Sequence, residues 1–356
     1  MQAERQKMTE KKWWQPQIYA QKREILAKRE HIIRTIRTFF ERRGFSQVQT
    51  PVLQVCPGME VHIKSFKTDL LPPFENKGEP RYLHTSPELT MKKLLVAGEK
   101  KIFQLCPTFR NAEEGETHFP EFTMLEWYRI GATYRKMMQD TIDLVRSCGK
   151  AVGCDTALYN GKRNPLFEPW EKLTVAEAFA KYAHIDLWRT LPAEPTLEPD
   201  PTALRKEAKK QGIQCSDNDR FEDIFFRIMF AKVEPHLGEK VPTILYDYPT
   251  CLGALARKSP QNPLVCERFE AYVCGLELCN AFSELTDAKE QAQRFRYDQQ
   301  MQKKLYGTCV PIDTDFLQAL EQGMPACAGN AVGVDRLIML LTGQSDIHNV
   351  LWVPKL

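Results

Sequence analysis

The chain has 356 residues, 43 % of them hydrophobic and 27 % charged, with a net charge of +3. This is ordinary globular composition, which excludes long disorder, a collagen-like rod and, with no apolar run of the ~18 residues a membrane helix needs, a membrane protein. The near balance of 49 basic and 46 acidic residues gives no push towards a nucleic-acid backbone.

Taken in chain order, residues 1–16 are polar and read as a loose N-terminal segment with no apolar core of a secretory signal. Residues 17–43 carry a helical period. Ile25, Ile32, Ile36 and Phe39/Phe40 fall on one stripe, with Lys, Arg and Glu opposite, and Gly44 supplies a stop. FSQVQTPVL then alternates and meets Pro51, which suits an edge strand or a strand end. Residues 71–81 read as a loop. LHTSPELTMKKLLVAG predicts a strand end and a helix, with Ser86 as N-cap and Pro87 at the first helical position. KIFQLCPTFR and EFTMLEWYRI predict an antiparallel strand pair joined by the polar loop NAEEGETHFP. Residues 134–152 predict a helix. The stretch 153–225 is less regular around the Pro/Glu-rich run LPAEPTLEPDP, with helical patches at 203–211 and 219–232. VPTILYDYP and RFEAYVCGLELCNAF predict strands, and 287–306 a charged helix. ACAGNAVGVDRLIMLLTG predicts a glycine-bearing strand running into an apolar helix. Without βαβ alternation, this mixture predicts the α+β class, an antiparallel sheet flanked by helices. The eleven cysteines include no C-x-x-C pair and read as buried, reduced thiols of a cytoplasmic protein.

Three constellations carry chemistry. In RFEAYVCGLELCNAFSELTD, Cys274-Gly275 fits a two-residue hairpin turn that pairs residue 272 with 277 and 271 with 278. Glu270 and Glu277 then share a face as diagonal neighbours. Close carboxylates repel unless a cation lies between them. Mg²⁺ carrying phosphate oxygens suits that geometry, and a solvated acidic face fits the pattern equally. In FRNAEEGETHFPEFTMLEWYR, Arg110 ends one strand, while Phe122, Met124, Glu126 and Tyr128 share a face of the next. Arginine beside an aromatic ring suits a nucleotide, and Glu in an apolar strand suits an ammonium group; an edge strand with a salt bridge would read the same. In GNAVGVDRLIML, Gly329 and Gly333 permit close backbone approach, Asp335 suits helix capping, and Arg336 at a positive helix start is explained by a phosphate. P-loop and Rossmann patterns are absent. Among seven histidines only His118, in the loop of the strand pair, has a functional case.

At these residues the chain resembles the catalytic core of class II aminoacyl-tRNA synthetases of the lysine branch. Residues about 25–51 resemble motif 1, FRNAEEGETHFPEFTMLEWY within about 101–130 resembles motif 2, and GNAVGVDRL within about 325–343 resembles motif 3. Residues 17–356 thus read as one catalytic domain rather than the two that length alone predicts. HTSPELTMKKLLVAG, FTMLEWYR, ELTDAKEQ and GMPACAGNAVGVDRL are most similar to the elongation factor P (R)-β-lysine ligase family, a paralogue of lysyl-tRNA synthetase. The motif 1 helix begins within the first ~20 residues, so no anticodon-binding OB domain is expected.

The resemblance implies ATP as substrate with Mg²⁺, and a homodimer formed through motif 1. Arg110 would hold the α-phosphate and Arg336 the γ-phosphate. Phe122 would stack on adenine, Asn111 and His118 would also contact the nucleotide, Leu278 and Gly333 would line its site, and Glu270 and Glu277 would carry Mg²⁺. Ser86, Pro87, Glu88, Glu126, Tyr128, Asn280, Glu284 and Ala331 would form the lysine pocket. Ser86 and Ala331 stand where the tRNA enzyme typically has Ala and Gly, and the extra methyl of Ala331 fits β-lysine. The implied reaction is adenylation with loss of pyrophosphate, then attack by a lysine ε-amine of elongation factor P, with neither tRNA nor a membrane as partner. Two positions depart from the family pattern. Ala112 replaces the Glu after FRN, and Phe119 replaces the Asn after the loop His; Glu113 is the candidate to replace the lost carboxylate. The alternative readings are a compact enzyme charging tRNA with lysine and a non-catalytic amino-acid-binding paralogue.

Overall fold

The computed structural model describes residues 12–354, so residues 1–11 of the expected loose segment lie outside the described part. The chain opens on α1 (Pro16–Ala20) and α2 (Arg23–Glu41), then β1 (Ser46–Gln47) and β2 (Leu53–Gln54). A hairpin of β3 (Lys67–Leu70) and β4 (Glu79–Leu83) leads to α3 (Glu88–Val96), β5 (Lys101–Phe109), β6 (Glu121–Ile130) and α4 (Tyr134–Ala151). The middle holds β7 (Thr156–Tyr159), β8 (Lys162–Pro165), β9 (Glu171–Thr174), α5 (Val175–Ala178), α6 (Thr202–Lys210), α7 (Phe221–Ile228) and β10 (Thr243–Pro249). The chain finishes with β11 (Val265–Val273), β12 (Leu276–Ser283), α8 (Ala288–Tyr306), α9 (Thr314–Gly323), β13 (Cys327–Gly333) and α10 (Val334–Thr342).

An eight-stranded sheet in the order β1-β5-β6-β13-β12-β11-β10-β9 forms the frame. Its interior pairings are antiparallel, as expected, and only the outer pairs, β1 with β5 and β9 with β10, are parallel. Because side chains alternate across a strand, the sheet separates two cores. One core packs α2, α4 and α10 against Phe103, Leu125, Trp127, Phe269 and Ala281. The other packs α3 and α5 to α9 against Tyr128, Tyr248, Tyr272 and Phe282. Phe40 of α2 anchors the first core, stacked on Phe103 at 4.9 Å and tilted against Trp127 at 5.1 Å. Such aromatic pairs add about 0.5–1.5 kcal/mol each beyond burial.

The motif 1 helix differs from expectation in two details. It breaks at Gln21–Lys22 into α1 and α2, and its buried stripe begins at Leu26 rather than Ile25 and includes Arg29. Gly44 ends it with φ 73, and the Phe45 N–H returns to the Phe40 carbonyl at 3.1 Å. β3 and α9 carried no sequence expectation, and β4 begins at Glu79, inside the stretch 71–81 expected as a loop, before the strand end expected at Leu83. Every residue of β3 is exposed, so burial imprints no alternation on it. No helix of the described residues is long and apolar enough to cross a membrane.

The β11–β12 hairpin turns at Cys274-Gly275, both with positive φ (54 and 81), as the turn chemistry requires. Tyr272 pairs with Glu277 as expected, but Ala271 pairs with Cys279 instead of residue 278. Leu278 is the extra residue of a β-bulge. In an unbroken ladder Glu277 and Asn280 would face opposite sides of the sheet. The bulge lets Leu278 and Cys279 both enter the α2/α4/α10 core, so Glu277 and Asn280 return to one face.

Candidate active site

The motif elements are joined by one buried ion pair. Asp335 at the start of α10 does not cap its own helix. Its Oδ1 accepts from Arg29 Nη1 of α2 at 2.5 Å, and its Oδ2 accepts the Thr123 backbone N–H of β6 at 2.7 Å. Arg29 also donates to Thr123 Oγ1 at 3.0 Å and to the Val350 carbonyl at 3.2 Å. This junction sets where β6 and α10 present their residues to a cavity of about 290 Å³ on the sheet face opposite α2.

The cavity has two chemically opposite ends. At one end lie Ser86, Glu88, Glu126, Asn280 and Ala331. Ser86 is not the N-cap expected of it but lies one place before it; its Oγ accepts the Glu88 N–H at 3.0 Å and donates its own hydroxyl to Glu126 Oε1 at 2.5 Å. Pro87 is buried outside the cavity and sits at the N-cap, one place earlier than expected. Tyr128 stands behind Glu126 and donates to Oε2 at 3.0 Å. Burial, with Glu88 as a like charge, raises Glu126 to about 8. Glu284 also stands behind the lining and is held above the ordinary carboxylate range by burial and by Glu88. Lys92, one turn along α3 from Glu88, is wholly buried and bridges Glu88 and Glu284. Burial alone would lower its pKa, but the two carboxylates hold it above its ordinary value. Sequence reasoning missed Lys92, although its i,i+4 spacing from Glu88 was visible. Three carboxyl groups share one internal cation at this end, and Glu284 Oε1 is buried without a partner.

At the other end lie Arg110, His118, Phe122, Glu277, Gly333 and Arg336. The Arg110 guanidinium lies 5.3 Å from the Phe122 ring centroid, and its Nε is buried without a partner. Arg336 donates to the Glu277 carbonyl at 2.8 Å and to His118 Nε2 at 2.6 Å. Arginine has only donors, so His118 Nε2 accepts and the proton sits on Nδ1, 3.1 Å from Thr117 Oγ1. Burial and the Arg336 charge keep His118 below the ordinary imidazole value. Asn111 does not reach the cavity. It is exposed and its Oδ1 accepts the Ala112 N–H at 2.9 Å. Ala112 adopts φ 62, a left-handed turn that brings Glu113 into the lining, 4.0 Å from Arg110. Phe119 packs edge-on against His348 at 5.5 Å, while the Ile347 N–H donates to the Glu116 carbonyl at 2.7 Å. The motif 2 loop is thereby held to the C-terminal segment.

Glu270 and Glu277 share a face, as expected, but are differently engaged. Glu270 Oε2 accepts from Tyr248 and Tyr272 at 2.6 and 2.7 Å, and its Oε1 accepts from Arg268 at 2.7 Å. A carboxylate has about four lone-pair directions, so one remains, on Oε1. Glu277 faces the cavity, and burial together with Glu270 raises it above the ordinary range against the pull of Arg336 and Arg110. The chemistry of this pair fits a cation: Glu277 offers open oxygens and Glu270 one. Among the described residues no three His, Cys, Asp or Glu side chains cluster as a closed metal site. Arg268 also donates to Asn280 Oδ1 at 3.0 Å, which leaves the Asn280 amide N–H groups for the cavity.

A sequence model of the family tRNA synthetases class II (D, K and N) matches residues 7–356. Among curated proteins, the elongation factor P--(R)-beta-lysine ligase of Haemophilus ducreyi is 38 % identical over 339 residues, 95 % of each chain. The ligases of the same name from Salmonella arizonae and Salmonella paratyphi B are 38 % identical over 346 residues, covering 97 % of this chain and 98 % of theirs. The three motifs, the two-ended cavity and this full-length similarity agree: the chain belongs to the class II tRNA synthetase family of the D, K and N type, and within it to the family of the elongation factor P (R)-β-lysine ligases.

Proposed function

We propose that the chain activates (R)-β-lysine or lysine with ATP as an aminoacyl adenylate and transfers it to a lysine side chain of elongation factor P. The observation that carries this reading is the polarity of the cavity. Its Glu88/Glu126/Glu284 end is matched to ammonium groups, and its Arg110/Arg336 end to phosphates. The amino-acid carboxylate is directed towards the arginines while its ammonium groups are held by the acids. Arg110, with an unpaired Nε, neutralises charge on the α-phosphate as that carboxylate attacks. Arg336, steadied by His118 and the Glu277 carbonyl, holds the outer phosphates, and Phe122 supplies the face on which adenine stacks. The Leu278 and Gly333 backbones border the same space. Glu277, with Glu270 beside it, is the pair that would hold Mg²⁺; the bound ion supplies charge neutralisation on the phosphates. Glu113, adjoining Arg110, takes the place of the carboxylate that Ala112 lacks.

The acceptor assignment draws on the names of the relatives. A homodimer through motif 1, a cytoplasmic location, a single catalytic domain over residues 17–356 and no role for tRNA belong to the same proposal. Pyrophosphate exchange with ATP, Mg²⁺ and lysine or (R)-β-lysine tests activation; elongation factor P and tRNA are then offered as acceptors. Exchange with neither amino acid would sink the enzyme reading, and transfer to tRNA alone would sink the acceptor.

A further inference from the structure

A second cavity, of about 340 Å³, adjoins the first. Glu60, Ile63, Ala254 and Asn280 line both, so the two spaces meet across these side chains. Its far wall comes from Arg220 and Glu222 at the start of α7 and from Arg294, Tyr297 and Asp298 of α8. The arginines here are already engaged. Arg220 pairs with Glu222 and Asp223 at 3.0 and 3.2 Å, Arg268 with Glu270 at 2.7 Å, and Arg294 with Glu290 at 2.7 Å. Three carboxylates are not. Glu60 Oε2 is buried without a partner, and the side chains of Asp298 and of the exposed Glu198 make no hydrogen bond or ion pair among the described residues. These carboxyl groups therefore face the space without a hydrogen-bonded protein cation, although Arg110, Lys92 and Arg294 lie near enough to act on Glu60 and Asp298 through space. Arg294, 4 % exposed, adds an unpartnered Nε, a donor that calls for a carbonyl-type acceptor. A polypeptide segment bearing a primary amine meets both demands, an ammonium for the carboxylates and a carbonyl for Arg294.

We propose that this second cavity receives the acceptor's primary amine, drawn in as an ammonium by Asp298 and deprotonated at the junction by Glu60. The proposal rests on the ligase reading above. The proton passes from the amine nitrogen to the Glu60 carboxylate. The freed lone pair forms the C–N bond at the aminoacyl carbonyl, the C–O bond to the adenylate phosphate breaks with its electron pair leaving on AMP, and the second proton of that nitrogen passes to the departing phosphate. Burial, then Glu88, raises Glu60, against Arg110 and Lys92, and burial with Glu60 and Glu222 raises Asp298 to about 7, against Arg294. Both are thereby stronger bases than ordinary carboxylates.

The test uses the full chain, with elongation factor P and, separately, N-α-acetyl-lysine amide as acceptors. Asp298→Asn should leave pyrophosphate exchange unchanged and raise KM for the acceptor about tenfold or more, with little change in kcat. Glu60→Gln should slow transfer from preformed adenylate by roughly 10²-fold and remove the rise of that rate with pH. An unchanged acceptor KM in Asp298→Asn overturns the docking role, as does loss of exchange, which would place Asp298 in activation instead. Wild-type transfer with the wild-type pH profile in Glu60→Gln overturns the proton transfer. If the wild-type chain forms adenylate but modifies only the small amine, the elongation factor P reading fails while the cavity is still tested by that amine. Transfer to neither amine overturns the cavity proposal.

Discussion

Lys92 and Arg336 show how differently two cations can serve one site. Lys92 is enclosed by Glu88 and Glu284 and lies 5.5 Å from the Phe282 ring centroid. Removing one partner of a buried charge cluster leaves the others uncompensated, at a cost of about 3–5 kcal/mol. Lys92→Met should lose stability of about that size in urea unfolding, and a loss below about 1 kcal/mol would mean the acids are neutral without it. Arg336 keeps 19 % of its side-chain surface and hydrogen-bonds the Thr117 and Glu277 carbonyls and His118 at the rim of the cavity. Arg336→Ala should therefore abolish pyrophosphate exchange while leaving the melting temperature nearly unchanged; near-normal exchange would remove it from the site. Arg336 was legible in the sequence because a cation at a positive helix start asks for an anion. Lys92 was not, because Glu88 and Lys92 at i,i+4 read equally well as a solvated surface pair until the packing of α3 on the sheet buries them.

At the scale of elements, the site depends on two local features of strands. The bulge at Leu278 puts Glu277 and Asn280 on one face, and strand periodicity predicts the opposite for residues three apart. The turn at Cys274-Gly275 was readable from its residue types, but the bulge was not, since it reflects how Leu278 and Cys279 both find space in the core. The second feature is Gly329 of β13, paired with Tyr128 of β6. A Cβ at Gly329 would meet the Tyr128 ring at 2.2 Å and Glu284 Oε1 at 2.7 Å. Gly329→Ala should destabilise the chain by about 1–3 kcal/mol through overpacking, and should raise KM for the amino acid more than KM for ATP. Equal changes in the two KM values would show that the strain is not confined to the acidic end. In the sequence Gly329 read as a site of close approach to a ligand. In the fold the group that approaches is a tyrosine of the neighbouring strand.

For the whole molecule, the acidic end couples stability to pH in an uncommon direction. The ordinary Glu pKa is 4.5, and in the fold Glu126 is raised to about 8. Between those values the folded chain holds a proton that the unfolded chain has released, so this contribution is full below about 4.5 and is lost as pH rises towards about 8. A bound ammonium reverses the balance by favouring the ionised carboxylate. The thermal shift given by saturating amino acid should therefore be larger at pH 8.5 than at pH 6.0, with proton release on binding near pH 7 in buffer-dependent calorimetry. A shift independent of pH would mean that Glu126 is already ionised in the free chain. Local patterning by itself determined the α+β class, the strand pair 101–130, the hairpin turn and Arg110, Glu126, Glu277 and Arg336 as candidates, while the motif order and Ser86, Glu88, Asn280 and Glu284 came from the resemblance to the family. The former follow from side-chain period and turn chemistry, which are properties of neighbouring residues. Only the tertiary structure decided that Asp335 joins α2 to β6 instead of capping α10 and that Lys92 is an internal counter-ion. It alone showed that Glu270 is largely occupied by Arg268 and two tyrosines, and that a second acidic cavity abuts the first. Each of these depends on which groups meet across the sheet at long sequence separation and how far water is removed from them, and neither quantity is carried by a residue's neighbours in the chain.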